Sequence, residues 1–166
     1  QLAASKLILQ KYTLMKGEKL KEKLVVADSA QKRMGVKLIA VSAFNRQNER
    51  LNLTDKVTGD GSLNWSPENG NWEIYAAFSG LTGQEVKRAA PGGEGLTMDH
   101  FSEEALNTYL KRFDEAFVKK PPKIKSWFND SYEVYYADFS PGIFEAFEEL
   151  KGYDLKLYLK ELVSED

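Results

Sequence analysis

The sequence contains no cysteine and a single histidine, His100, in 166 residues. The absent thiols exclude disulfides, zinc–thiolate centres and cysteine nucleophiles together. One imidazole cannot build a histidine-based metal cluster, and no G-x-S-x-G elbow is present to give it a serine partner. There is no excess of one charge either. Twenty-three basic side chains face 25 acidic ones, for a formal net charge of −2, so the chain lacks the basic footprint of a nucleic-acid binder. No apolar run approaches the roughly 18 residues of a membrane span, and no signal peptide is visible. The chain opens on Gln1 rather than Met, which leads us to expect a processed or trimmed product.

Apolar residues make up 42% of the chain and charged residues 29%. That balance supports a packed core and argues against disorder. Aromatic residues are plentiful, with three Trp, eight Tyr and nine Phe. Such rings build cores first and sugar-stacking platforms second.

The first half reads as β structure. Residues 6–14 mix apolar and polar side chains without a helical stripe, and residues 36–44 are rich in β-branched side chains. Leu24-Val25-Val26 is a shorter apolar run, followed by a polar stretch over residues 28–33. Turn signals at Gly59-Asp60-Gly61 and at Pro67-Glu68-Asn69-Gly70 bracket Leu63-Asn64-Trp65, and residues 72–78 read as a strand ended by Gly80 and Gly83. The expectation is a small antiparallel sheet or sandwich.

Pro91, Gly92, Gly93 and Gly95 mark an internal joint, after which the apolar period changes. We therefore expect a β-rich part over residues 1–88 and an α/β segment over residues 89–166. Ser102 is placed to cap a helix whose Leu106, Tyr109, Leu110, Phe113 and Phe117 share one face. Pro121-Pro122 stops that helix, residues 124–128 read as a buried strand, and Asn129-Asp130 follows it. Ser140 and Pro141 suit the start of a second helix, Gly152 its left-handed stop, and Asp154 the cap of a third that buries Leu155, Tyr158, Leu159 and Leu162. The fold class expected is α+β.

Candidate chemistry gathers in the acidic, aromatic stretch Asp130-Ser131-Tyr132-Glu133. Carboxyl groups just beyond the C-terminal end of a strand occupy the position where barrel enzymes place catalytic side chains. Hydrolysis of a glycosidic bond needs two such groups, one protonated and one ionised. Trp127, Tyr132, Tyr135 and Tyr136 are at hand to wall the site or to stack on a ring. The competing reading is plain: Asp130 caps a turn and Glu133 is solvated. Asp99, after a possible strand over residues 96–98, has the same two readings, site residue or turn cap. Trp65 and Trp72 are either core or sugar platform. The basic run from Lys119 to Lys125 reads as a solvated helix end, and the glycines at 92, 93 and 95 lack any phosphate-binding spacing.

Taken in order, Trp127-Phe128-Asn129-Asp130-Ser131-Tyr132-Glu133, then Ala137-Asp138-Phe139-Ser140-Pro141, then Lys151-Gly152-Tyr153-Asp154-Leu155 resemble glycoside hydrolase family 106, the α-L-rhamnosidases and their relatives. Upstream, Leu53-Thr54-Asp55-Lys56-Val57, Leu63-Asn64-Trp65, Gly70-Asn71-Trp72 and Gly95-Leu96-Thr97-Met98-Asp99 extend the likeness, which spans roughly residues 50–163. Tyr132 stands where Trp is common in the family. The resemblance implies a periplasmic or secreted bacterial enzyme that hydrolyses α-L-rhamnosidic links in polysaccharides with inversion. It further implies calcium as cofactor and a β layer beside a (β/α)8-type catalytic barrel. Carried over by position, Glu133 and Asp130 are the catalytic pair, with Trp127, Tyr132, Tyr135 and Asp99 toward the carbohydrate substrate. A full barrel needs about 250 residues, so the remainder of a larger catalytic chain is an expected partner. The alternative is a non-catalytic carbohydrate-binding or accessory module.

Overall fold

The computed structural model describes residues 2–118, 123, 125–126 and 133–163. It has an α+β architecture. Four strands, β1 (Ser5–Met15), β2 (Lys37–Asn45), β3 (Arg50–Asn52) and β4 (Asn71–Leu81), form one sheet in the order β1-β4-β2-β3. Among the described residues three α-helices accompany it: α1 (Ser29–Arg33), α2 (Glu103–Phe117) and α3 (Ile143–Lys151). Among the described residues the expected sheet is therefore a single layer, not a sandwich. No described helix is long and apolar enough to cross a membrane.

The chain divides into two compact units, and both are discontinuous. One comprises residues 1–6 and 81–141, the other residues 7–80 and 142–166. The sequence expectation drew a single boundary near residue 88. Such a boundary marks where composition changes; it does not reveal that the chain from Gly142 to Val163 belongs with the strands of the first half.

In the sheet unit, β2 pairs antiparallel with β4, from Lys37 opposite Ser79 to Asn45 opposite Trp72, with a bulge between Leu38 and Ala40. On its other side β2 pairs antiparallel with β3. Val41, Ala43, Ile74, Ala76 and Phe78 form the core with Leu14, Leu24, Val26, Leu53, Leu63 and Trp72. β2 is buried without interruption from Ala40 to Phe44 and β4 from Ile74 to Gly80, so both faces of these two central strands are covered. Leu24 and Val26 join this core as irregular chain, although the apolar run suggested regular structure. The polar stretch after them forms α1, because the Asp28 side chain accepts from the N–H groups of Ala30 and Gln31. β4 continues through Gly80 where a strand end was expected. A Cβ there would lie 2.7 Å from Ile8 Cδ1 and would run into the Gln31 side chain, so the missing side chain makes room for both.

The C-terminal stretch closes on the same strands. Gly142, at φ 91°, caps α3, so the helix starts two residues later than Ser140 and Pro141 suggested. Gly152, at φ 77°, ends it as expected. The final helix is replaced by short 3-10 turns at Leu155–Tyr158 and Glu161–Val163, the first capped by Asp154. Of its expected buried residues, Leu159 is fully buried, while Leu162 is half exposed. Arg50 anchors these turns: its guanidinium donates to the Leu157 carbonyl at 3.1 Å, meets Glu161 at 2.6 Å and lies 4.2 Å from the centre of the Tyr158 ring.

Glu73 on β4 takes an ion pair from each of Lys11 and Lys160. The hydrogen bond from Lys11, then that from Lys160, holds its carboxyl below the usual carboxylate range, and the bond to Glu73 raises Lys11. A depressed carboxyl stabilises the fold above its ordinary value and loses that contribution as pH falls through the depressed one. The lysine works in the opposite sense, contributing below its ordinary value and losing that contribution as pH rises through the raised one. Solvent screens both pairs. Thermal unfolding followed against pH should therefore fall less steeply on the acid side for Glu73→Gln than for the wild type. Parallel curves would mean that the two ion pairs do not contribute.

The other unit is built around α2. Ser102 caps it as expected, accepting from the Ala105 N–H, and Glu103 and Glu104 stand in the first turn where the helix dipole favours them. Leu106, Tyr109, Leu110, Phe113 and Phe117 share one face of the helix, as the spacing predicts. Those side chains are exposed, and Ala105 alone on the helix is buried. Amphipathic spacing states that a helix has an apolar face; it does not supply the surface that covers it.

Candidate functional site

Of the residues singled out from sequence, Asp99, Glu133 and Tyr135 lie among those described, and all three fall in the α2 unit. Asp130, Trp127 and Tyr132, with most of the strand expected over residues 124–128, lie outside the described residues.

The site begins with short extended segments. Ala3 bridges Met98, Ser5 bridges Phe139 and Glu85 bridges Leu96, all antiparallel. The Ala4 N–H donates to the Thr97 carbonyl at 2.8 Å, and the Asp99 N–H to the Leu2 carbonyl at 2.9 Å. Asp99 is consequently buried, at 3% exposure. One carboxylate oxygen accepts the Phe101 N–H at 3.0 Å, and the other accepts the Ser140 hydroxyl at 2.7 Å. The first bond is an Asx turn leading into the Ser102 cap. The second explains why Ser140 does not cap α3: its hydroxyl is committed to Asp99.

Around Asp99 opens a cleft of about 290 Å³ lined by Ala4, Asp99, His100, Phe101, Val134, Ala137 and Phe139. Its wall thus includes the neighbour of Glu133 and the chain that follows it. Asp99 in this setting orders the cleft, since both of its oxygens already hold protein donors. Asp99→Ala removes the acceptor of the half-buried Ser140 hydroxyl and the Asx turn that leads into the Ser102 cap. A loss of about 1–3 kcal/mol of stability is expected, read as a lower midpoint in urea; an unchanged midpoint would show that the cleft does not depend on this carboxylate.

Glu133 itself is exposed, and so is Tyr135. Their main chain is gripped by one side chain that the sequence reading passed over. The Gln84 amide nitrogen donates to the Glu133 carbonyl at 2.6 Å, and its oxygen accepts the Tyr135 N–H at 2.7 Å. Lys87 Nζ lies 5.8 Å from the centre of the Tyr135 ring. Tyr136 then turns the chain at φ 61°, a conformation bulky residues seldom adopt. A lone glutamine after a Thr-Gly turn has no periodicity to betray such a role.

Trp65 and Trp72, the possible platform, pack edge to face at 5.7 Å between ring centres. Trp72 is buried, and its indole N–H donates to the Asn69 carbonyl at 2.9 Å. It has no open face for a sugar. Among the described residues no group of three or more His, Asp or Glu side chains could hold a metal ion.

Comparison with known proteins bears on the family. The family model described as alpha-L-rhamnosidase, glycoside hydrolase family 106, matches residues 2–165. A protein of Formosa agariphila with a provisional beta-glucuronidase name is 31% identical over 131 residues, covering 76% of this chain and 11% of that protein. The solved structure of a rhamnosidase from Novosphingobium sp. PP1Y superimposes with a TM-score of 0.57 at 29% identity, covering 68% of this chain and 12% of the other. The chain thus matches about a ninth of the length of each of these relatives, and by the family match along almost its whole length it belongs to glycoside hydrolase family 106, the α-L-rhamnosidase family.

Proposed function

We propose that this chain is the part of a longer glycoside hydrolase that carries catalytic carboxyl groups, and that the intact polypeptide cleaves α-L-rhamnosidic bonds in polysaccharides. The observation that carries the reading is the family match over residues 2–165, and the rhamnosidase structure at 29% identity supports it. In this reading Glu133 and Asp130 form the pair. One carboxyl, protonated, delivers its proton to the oxygen of the departing sugar as the glycosidic bond breaks. The other, ionised, removes a proton from the water that attacks the opposite face of the ring. Inversion at the anomeric carbon follows from that single displacement.

Trp127, Tyr132 and Tyr135 are assigned to the walls of the sugar site, and Asp99 to the floor that orders the nearby chain. The α2 unit is taken as part of a barrel-like catalytic domain, with the sheet unit as its accessory layer. A calcium ion is part of the same proposal. The site of action is placed in the periplasm or outside the cell, where polysaccharides are met.

The test is hydrolysis of an α-L-rhamnoside by the intact polypeptide, with a β-glucuronide of the same leaving group alongside. Release from the rhamnoside alone is the expected result. Release from the glucuronide alone would move the substrate assignment to uronic acids, and binding of rhamnosides with no release from either would favour a carbohydrate-binding module.

A further inference from the structure

We propose that Gln84 is a positioning residue for Glu133. This rests on the reading of Glu133 as a catalytic carboxyl.

A primary amide presents an N–H donor and a carbonyl acceptor side by side. In extended chain, the carbonyl of one residue and the N–H two residues later point to the same side. Gln84 meets that pair. Its nitrogen donates to the Glu133 carbonyl and its oxygen accepts the Tyr135 N–H, at 2.6 and 2.7 Å. The side chain thereby takes both main-chain groups that flank Val134, as the facing residue of a parallel strand would. It fixes the peptide planes on both sides of Val134, and with them the direction in which the Glu133 side chain leaves the backbone.

A clamp works only if its own base is held. The Gln84 carbonyl accepts the N–H and the hydroxyl of Thr97, at 2.8 and 3.2 Å. The Gln84 N–H donates to the Thr82 hydroxyl at 3.3 Å, and the Thr82 N–H donates to the Ala4 carbonyl at 3.0 Å. Those same segments bury Asp99, whose carboxylate holds Ser140 beyond the far end of the loop. The chain over residues 133–140 is therefore tied at both ends to one framework, by Gln84 at its start and by Asp99 at its finish. Glu133 is exposed among the described residues, so the hold on its backbone bears directly on where its side chain is aimed.

The experiment compares the intact polypeptide with its Gln84→Met and Gln84→Glu variants in rhamnoside hydrolysis, counting only folded molecules. Methionine keeps the length of the side chain and loses both hydrogen bonds. Misplacing a reacting group by about 1 Å costs on the order of 100-fold, so kcat should fall about 10- to 100-fold with KM little changed. Glutamate keeps the acceptor for Tyr135 and regains the donor for Glu133 only when protonated. Its deficit relative to wild type should therefore shrink as pH falls, while that of Gln84→Met stays constant. Amide exchange at Tyr135 should quicken in Gln84→Met. Wild-type kcat in Gln84→Met beside an inactive Glu133→Gln would overturn the inference and leave the catalytic reading standing. Wild-type turnover in Glu133→Gln would remove both. Should Gln84→Met fail to fold, the pH dependence of the Gln84→Glu deficit decides alone, a constant deficit counting against the clamp.

Discussion

Replacing Glu133 by Gln should reduce rhamnoside turnover about 10²- to 10⁴-fold, the range expected when a positioned acid or base is lost. The substitution keeps volume and hydrogen-bonding reach, and the side chain is exposed, so unfolding is not a competing cause; circular dichroism and the unfolding midpoint should match the wild type. The choice of substrate adds a second reading. A general acid matters most when the departing oxygen is a poor leaving group. If Glu133 supplies the proton, Glu133→Gln should lose far more activity toward an alkyl rhamnoside than toward a nitrophenyl one. If it serves as the base, both should suffer alike. Turnover near the wild-type level on both substrates would return Glu133 to the role of a solvated loop residue.

Trp72→Ala should be the most damaging substitution for the fold. The ring is buried among Leu14, Leu53, Leu63 and Ile74, with Trp65 packed against its edge. Truncating a buried aromatic costs about 3–5 kcal/mol, and the lost ring pair accounts for some of that. The freed Asn69 carbonyl lies at an exposed turn and regains water at little cost. Set against a total of roughly 5–15 kcal/mol for a whole domain, the loss should lower the thermal midpoint by about 10 °C or more. Trp72→Phe, which leaves a smaller cavity, should lose less. Near-ultraviolet circular dichroism through the unfolding transition is the measurement. A variant that kept its midpoint and lost only affinity for sugar would show that the ring serves a ligand instead of the core.

The strands were legible because their signal is local. Residues 36–44 are rich in β-branched side chains and residues 72–78 in aromatic ones, and they became β2 and β4 as neighbours. The Ser102 cap was equally legible, since a capping hydroxyl needs nothing beyond the next three residues. Gly152 belongs with these, because a left-handed stop is a property of one residue. Asp154 kept its cap but closed a 3-10 turn, as a cap states where a helical turn begins and not how far it runs.

Other features depended on partners distant in the chain. Ser140 was a reasonable helix cap until Asp99, 41 residues earlier, took its hydroxyl. Gly80 read as a strand end because its local meaning is a break, whereas its actual reason is the side chains of Ile8 and Gln31 packed across it. Gln84 gave no signal at all, because a side-chain amide clamped on a remote backbone leaves no pattern in sequence.

By itself, then, the amino-acid order determined the α+β class, the main strands, the capped α2 helix and the motifs through which the family is recognised. Those rest on spacing, dihedral preference and residue chemistry, which act over a few positions. Tertiary structure alone decided that the chain forms two discontinuous units, that Trp72 is core, that Asp99 spends its carboxylate on Phe101 and Ser140, and that the Glu133 segment hangs on Gln84. Each of these is a pairing between groups far apart in sequence, and a hydrogen bond or a packed contact exists only once folding has brought both of its partners to the same place.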